Sequence, residues 1–310
     1  MKKDVLKAIA CLCCFCGCTD KEDEISSPEI SQTWAIVQFT LDLEEEVLSF
    51  PTIKSIPDFE IPEPDISDQE DSGDLYNRID YVVYSEEEPD VVYRHRQYTY
   101  EDEDFTIIYD SLPPGSYTLC FMAHSNKGMT VSGQTATFTK VTDTFHKSFA
   151  IELAGGQEVN QNVTLERIVS KIEFVATDAI YEELKSFTID VSNYQNMINL
   201  VSGDGISEDI SYSQTYPFKN SDIGEENTSH SFFTFVPTSS SLEAHLTTQD
   251  RLNEITREWY ITDIEPIRNK ILRYTGILYT PKTSEDTFML EVLNEGEWGE
   301  IIDNILSEDY

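Results

Sequence analysis

Cysteine, histidine and basic residues are all scarce in this chain of 310 residues. After residue 18 the only cysteine is Cys120, so that part has no disulfide framework and no cysteine-rich zinc or iron–sulfur site. The five histidines are scattered without an HExxH motif, and no Walker loop, GxSxG elbow or GxGxxG loop follows a strand pattern. We therefore predict no enzyme activity, no cofactor and no metal ion.

The shortage of positive charge limits the kinds of partner. Lys and Arg number 21 against 58 Asp and Glu, which gives a formal net charge of -37. Binding to nucleic acid requires Lys and Arg to displace counterions from phosphates, so nucleic acid is not a predicted partner. Hydrophobic residues at 39% and aromatic residues at 11% still suffice for a core, so the excess of acid is a surface property of a folded chain.

No apolar run reaches the roughly 20 residues that a transmembrane helix needs. Residues 1–17 instead combine a Lys-rich start with a short apolar run, which is typical of a secretory signal. Gly17 precedes Cys18, and the chain then turns to TDKEDE, an arrangement that resembles a lipobox. We predict a lipoprotein signal peptide over 1–17 and acyl chains, palmitate among them, on Cys18. Cleavage before Cys16 or Cys14, or an ordinary secretory signal, are the alternatives.

Residues 18–32 are short, polar and acidic, as expected of a lipidated tether. Each buried methylene of an acyl chain contributes about 0.8 kcal/mol, so two or three chains hold a protein at a membrane without help from its body. The acidic run Asp20–Glu24 resembles the export signal of surface lipoproteins in Bacteroidota, and a solvated linker is the alternative. The predicted location is the cell outer membrane, facing the exterior.

The rest of the chain has the period-two pattern of β-strands. In TWAIVQFTLDL, the apolar residues Ala35, Val37, Phe39, Leu41 and Leu43 alternate with polar ones. Similar segments lie at 79–84, 91–100, 105–109, 116–125, 134–141, 163–176, 187–191, 231–236 and 242–248, and beyond. Many short strands without a long helical pattern favour β-sandwiches, and the length favours two domains. We place these domains at 33–165 and 166–310.

Two local features resemble functional sites but have simpler explanations. Asp68, Glu70 and Ser72 match the start of a calcium loop, but Ile79 stands where a bidentate Glu is required. The excess of acid explains this cluster. Cys120 lies in an apolar strand pattern, which favours a small core residue over a nucleophile.

The segment NVTLERIVSKIEFVATD resembles the start of the second domain in fimbrillin-associated anchor proteins of Bacteroidota. The resemblance is carried by Leu165, Glu166, Arg167, Val169, Lys171 and Ile172. Later segments fit the same pattern, namely FTFVPTSS, NKILRYTGILY and FMLEVLNEGEW with Trp298. The likeness covers most of residues 33–300 in order.

The resemblance implies two tandem transthyretin-like β-sandwich domains and a role in fimbriae, whose subunits are linked by strand exchange. The turn PPGSY at 113–117 is also common in such sandwiches. Fibre subunits of that family lose their first strand after cleavage at an arginine. Here the first arginine is Arg78, beyond the first strand pattern, which favours an anchor that keeps its lipid; cleavage at Lys54 is the alternative. The implied partners are fimbrial subunits, and the implied location is the fimbrium.

The alternative function is a surface glycan-binding lipoprotein of a polysaccharide uptake system. Such proteins display aromatic platforms, whereas the 16 Tyr and 3 Trp mostly alternate with polar residues and form no evident exposed cluster. A hydrolase is the third possibility, because a pair of catalytic carboxylates is defined by distance in space. Ile301, Ile302, Ile305 and Leu306 have helix-like spacing, so the tail is not predicted to be a donor strand.

Overall fold

The computed structural model describes residues 33–44, 75–238, 240–281, 288–294 and 304–306. Apart from a 3-10 helix at Asn220–Asp222, every regular element in these ranges is a β-strand. The strands before residue 168 are β1 (Ala35–Leu43), β2 (Arg78–Ser85), β3 (Glu88–Thr99), β4 (Ile107–Leu112), β5 (Gly115–His124), β6 (Thr130–Ser132), β7 (Thr135–Thr137), β8 (Phe145–Leu153) and β9 (Glu158–Arg167). Those that follow are β10 (Val169–Ala176), β11 (Leu184–Ser192), β12 (Met197–Asn199), β13 (Tyr212–Pro217), β14 (Ser229–Phe235), β15 (Leu242–Asp250), β16 (Ile255–Ile264), β17 (Lys270–Gly276), β18 (Phe288–Asn294) and β19 (Asn304–Leu306). The predicted all-β class is confirmed.

The first half of the body is one seven-stranded sheet that closes into two layers. Its order is β3-β2-β5-β8-β9-β1-β4, so β1 and β5 are three positions apart, roughly 14 Å at the usual strand spacing. Yet the ring of Phe39 on β1 lies 5.2 Å from that of Phe121 on β5. The sheet must therefore fold over, and β8 and β9 are paired only at Phe145 with Arg167 and at His146 with Glu166.

The alternation predicted for β1 is confirmed. Ala35, Val37 and Phe39 are fully buried, whereas Ile36, which lies between Ala35 and Val37, is 56% exposed. A strand of this kind forms because one side of the pleat meets the core while the other meets solvent.

Strands β2 and β5 are buried on both faces, which the sequence pattern did not predict. Leu119 and Phe121 face the core of the first half, as expected, but Cys120 and Met122 on the opposite face are also buried. The second face packs into a core shared with the second half of the chain. Cys120 is thus the small core residue that was predicted, and its burial raises the pKa of its thiol to about 12.

The second half contains a five-stranded sheet, β14-β10-β17-β18-β19, and a four-stranded sheet, β13-β11-β15-β16. Their inward residues, among them Phe174, Phe187 and Leu246, belong to the shared core. One face of the four-stranded sheet carries polar residues and is half-exposed.

A small third sheet crosses the proposed domain boundary. Strand β12 of the second half pairs with β7 of the first, and β7 pairs with β6. The segment 134–141 is therefore a strand only at Thr135–Thr137. The division at 165 and the tandem transthyretin-like organisation remain predictions.

The last described residues form a strand, although the sequence there has helix-like spacing. Asn304–Leu306 form β19, which pairs antiparallel with β18, because backbone pairing within the sheet outweighs a weak local pattern. Ile305 and Leu306 thus lie in a strand of this chain's own sheet and not in a helix, whereas Ile301 and Ile302 lie outside the described residues. No helix in the described ranges is long and apolar enough to span a bilayer.

Candidate functional site: the tethered strand and the sheet edges

Several predicted features lie outside the described residues. They are the signal peptide at 1–17, the lipidation site Cys18, the tether at 18–32, Lys54, the acidic cluster at 68–73 and Trp298. Lipidation at Cys18 therefore stays a prediction. The strand that the tether leads into, β1, is described and is the starting point of the candidate site.

Strand β1 is bonded on both sides. It runs parallel to β9 over eight residue pairs, Ile36–Leu43 with Glu158–Leu165, and antiparallel to β4 over six. Where the chain enters the body, the carbonyl of Thr33 accepts a hydrogen bond of 3.0 Å from the amide of Gly156. Gly156 has φ +70°, a conformation that glycine adopts without strain. The first residues of the body are thus held within a sheet rather than at its edge.

The free edge of β4 is closed by two arginines from β3. Arg96 donates to the carbonyl of Tyr109 at 2.9 Å, and Arg94 donates to the carbonyl of Ser111 at 2.9 Å. Both guanidinium groups also contact the carboxylate of Asp110, whose side chain is fully buried. An edge whose carbonyl groups are already bonded offers little to an incoming strand.

Arg78, the first arginine of the sequence, is the first residue of β2. It pairs with Thr99 on β3 and with His124 on β5, so its backbone lies inside the sheet. A protease needs an extended and accessible segment, and the described fold does not offer one at Arg78.

The histidines do not converge on a catalytic arrangement. Asp80 brings two of them together: it accepts hydrogen bonds from the Nε2 atoms of His95, at 2.5 Å, and His124, at 2.8 Å. Nδ1 of His124 accepts the backbone amide of Asn126, which assigns its proton to Nε2. Burial raises the pKa of Asp80, but the hydrogen bonds from His124 and His95 outweigh it and lower that pKa to about 2. Both imidazoles are hydrogen-bonded to the buried carboxylate of Asp80, and no Ser, Thr or Cys in the described ranges is hydrogen-bonded to either imidazole.

Two further histidines are buried separately in the core. His146 contacts the carbonyl of Leu200 at 2.7 Å, and His230 contacts the hydroxyl of Tyr279 at 2.7 Å. Burial lowers the pKa of His146 to about 4 and that of His230 to about 3. In the described part of the chain, no group of three or more His, Cys, Asp and Glu is arranged to hold a metal ion.

These two histidines should make the protein sensitive to mild acid. Below about pH 6.5 the unfolded chain binds a proton at each histidine, while folded His146 and His230 stay neutral until about pH 4 and 3. Stability is therefore lost as the pH falls, by about 1.4 kcal/mol per pH unit for each histidine. Urea unfolding between pH 7.5 and 5 measures this slope.

Replacing His230 by Phe should remove half of that slope, whatever it does to stability at pH 7.5. Phe187→Leu is the matched control, because it alters a neighbour whose ring lies 4.5 Å from His230 but removes no titrating group. An unchanged slope in His230→Phe would contradict the assignment.

The segment that carries the family resemblance forms the junction between the two halves. Leu165 is buried in the first core and Ile172 in the shared core. Between them, Arg167 makes a bidentate pair with Asp143 at 2.8 and 2.9 Å and donates to the side chain of Asn269 at 2.9 Å. Burial raises the pKa of Asp143, and the hydrogen bonds from Arg167 oppose that rise. Sequence reasoning identified the segment but not this contact, since Arg167 and Asn269 are distant in sequence.

Comparison with known proteins gives structural likenesses alone. No family model matches the chain, and no curated protein matches it in sequence. Among solved structures, a proposed adhesin from Bacteroides ovatus is similar at 12% identity and TM-score 0.49, over 80% of this chain and 88% of that one. The fimbrial anchor protein Mfa2 from Porphyromonas gingivalis is similar at 10% identity and TM-score 0.49, over 84% and 96%. A proposed polysaccharide-binding protein from Bacteroides thetaiotaomicron is similar at 8% identity and TM-score 0.47, over 84% and 98%. The solved structures similar to this chain thus include fimbrial anchor, tip and assembly proteins of Bacteroidota and proposed adhesins.

Proposed function

We propose that this chain is a surface lipoprotein that anchors a fimbria to the outer membrane through acyl chains on Cys18. In this proposal the body is a structural part that binds fimbrial subunits and performs no catalysis. The observation that carries the proposal is the position of β1. It is the first strand after the tether, and both of its sides are bonded within the sheet.

This position suits a strand that transmits force. A pull on the fibre would act against the lipid and reach the body at Thr33, along the direction of β1. Since β1 is bonded to β9 over eight residue pairs and to β4 over six, it cannot be drawn out without breaking many hydrogen bonds together. Resistance to force depends on the rate of unfolding, and bonds that must break together slow that rate.

The lipid can transmit force only if the link between Cys18 and β1 stays intact. Arg78 lies beyond β1 and within the sheet, so it is a poor site for proteolysis. We infer that the body keeps its first strand. In the family that the sequence resembles, fibre subunits instead lose that strand, so this chain suits the base of a fibre.

Contact with a fimbrial subunit would use main-chain pairing at a sheet edge, as the family resemblance implies. Arg94 and Arg96 of β3 close the free edge of β4, so pairing is left to another terminal strand. The strongly acidic composition adds a requirement, because a subunit surface that docks here must tolerate or complement negative charge.

The first test is Cys18→Ala in cells that make the wild-type fibre. We expect the variant to leave the membrane fraction and the fibres to be shed into the medium, since the acyl chains supply the whole of the attachment. Immunogold labelling and fractionation measure both outcomes. Labelling of fibre bases in the wild type completes the expected result.

Two other cysteines provide matched controls. Cys16→Ala tests the alternative cleavage site and should leave attachment unchanged, and Cys120→Ala removes a buried thiol without touching the tether. If Cys18→Ala stays in the membrane, or if the wild type labels no fibre, the anchor proposal fails.

A further inference from the structure

The solvent-facing side of the four-stranded sheet β13-β11-β15-β16 carries an aromatic pair. Tyr260 on β16 is 71% exposed and lies directly opposite His245 on β15. Their rings are stacked, with centroids 4.3 Å apart and planes 8° from parallel. His245 is held from a second side by Glu258, at 3.2 Å. Tyr260 is therefore a large exposed ring whose orientation is already restrained.

The aromatic pair forms one wall of an open depression of about 490 Å³. Asp190 and Glu243 contribute carboxylates to it, and Ser192 and Ser213 contribute hydroxyl groups. Strand register sets these groups in rows: Ser213 is opposite Asp190, and Asp190 is opposite His245. With Tyr260 next in line, the row crosses four strands and spans roughly 14 Å at the usual strand spacing.

The chemistry of this face fits one class of ligand. Carboxylates accept hydrogen bonds, serine hydroxyls both donate and accept them, and an exposed ring offers a flat apolar surface. A sugar presents the complement, because its hydroxyl groups are donors and acceptors and one side of its ring is lined with C–H bonds. The carboxylates and the net charge of -37 disfavour a ligand that is itself acidic.

We propose that the outer face of the β13-β11-β15-β16 sheet binds a neutral saccharide chain, with Tyr260 and His245 as the stacking wall and Asp190 and Glu243 as hydrogen-bond acceptors. The site is shallow and solvent-open, so it holds a chain along its length rather than enclosing a single sugar. Because Tyr260 is restrained by His245 before binding, less side-chain entropy is lost when a ligand stacks on it. The site lies on the face of a sheet, whereas the fibre contact proposed above uses main-chain groups at a sheet edge.

Affinity electrophoresis of the full-length protein tests this site, in gels that contain one polysaccharide each and a detergent without a sugar headgroup. The neutral probes are glycogen, mannan, xylan and arabinogalactan, and the anionic probe is polygalacturonate. We expect at least one neutral gel to retard the protein. Tyr260→Ala should weaken that binding about tenfold, which corresponds to about 1.4 kcal/mol, because it removes the large apolar ring of the site.

Matched variants locate the site. Tyr260→Phe keeps the ring and should retain binding, whereas Asp190→Asn keeps the shape and should weaken it. Tyr100→Ala removes another exposed tyrosine, 58% exposed in the first half, and should have no effect. Thermal unfolding of each variant confirms that it is folded.

No retardation in any neutral gel overturns the proposal, as does retardation that Tyr260→Ala leaves unchanged. Retardation by polygalacturonate alone overturns the assignment to neutral saccharides. Tyr260→Ala should also leave cell attachment and fibres intact, so failure of this site and failure of the anchor proposal are separate results.

Discussion

Replacing Gln38 by proline should lower the free energy of unfolding by at least about 1–3 kcal/mol, the usual cost of leaving a backbone hydrogen-bond partner unsatisfied. Alternate amides of β1 bond the same neighbour, and those of Ile36 and Glu44 donate to Gln157 and Leu165 on the β9 side. The amide of Gln38 therefore belongs to the ladder between β1 and β9. Proline removes that amide in the middle of a sheet and fixes φ near -65°, away from the extended value that the strand requires.

The same substitution should lower the force at which the body unfolds. Force spectroscopy that pulls from the amino-terminal tether applies the force directly to β1. The Gln38→Pro variant should unfold at a lower force than the wild type. Gln38→Thr is the matched control, because it alters the same half-exposed side chain but keeps the amide and suits a strand. Equal forces for all three proteins would show that β1 does not carry the load, and would remove the main support for the anchor proposal.

The local strand pattern could be predicted where one face meets solvent. In β1, Val37 and Phe39 alternate with exposed or half-exposed neighbours, and the period of two follows from the pleat alone. In β5 the same reasoning identified Leu119 and Phe121 but not the burial of Met122. The difference arises because the second half covers the outer face of β5, and no local pattern shows which distant segment will do so.

The polar contacts were harder to predict, because each joins residues on different strands. Arg96 reaches the carbonyl of Tyr109 across the two layers of the first half. Tyr260 meets His245 only through the register of β15 and β16. Asp80 had a weak sequence signal, as the single acid within the apolar run of β2, and its three polar partners explain why it is there.

The two halves should depend on each other for stability, because they share a hydrophobic core and because β7 of the first half pairs with β12 of the second. In the anchor proposal, a pull through β1 would act on a body whose second half covers the outer face of the first half's sheet. The junction at Arg167 is where this support can be tested with one residue.

Arg167→Ala should destabilise the body by about 3–5 kcal/mol, which is typical when one partner of a buried ion pair is removed. The side chain of Arg167 is fully buried and that of Asp143 is 13% exposed, so the carboxylate would lose its cation without gaining full contact with water. The side chain of Asn269 would lose a donor as well, and the guanidinium group would no longer lie over Phe145, 5.0 Å away. Urea unfolding at pH 7.5 measures the loss.

A double-mutant cycle distinguishes this buried pair from an ordinary surface one. Asp143→Asn should restore part of the stability of Arg167→Ala, because it removes the carboxylate that the first substitution leaves without its cation. Lowering the pH should also reduce the difference in the free energy of unfolding between Arg167→Ala and the wild type. Without Arg167 the folded-state pKa of Asp143 rises further, so protonation of this carboxylate stabilises the folded variant. Lys147→Ala breaks the exposed pair with Glu166 on neighbouring strands and should lower stability by less than about 1 kcal/mol. If Arg167→Ala behaves like Lys147→Ala, the pair with Asp143 does not hold the two halves together, and the junction must depend on the shared apolar core.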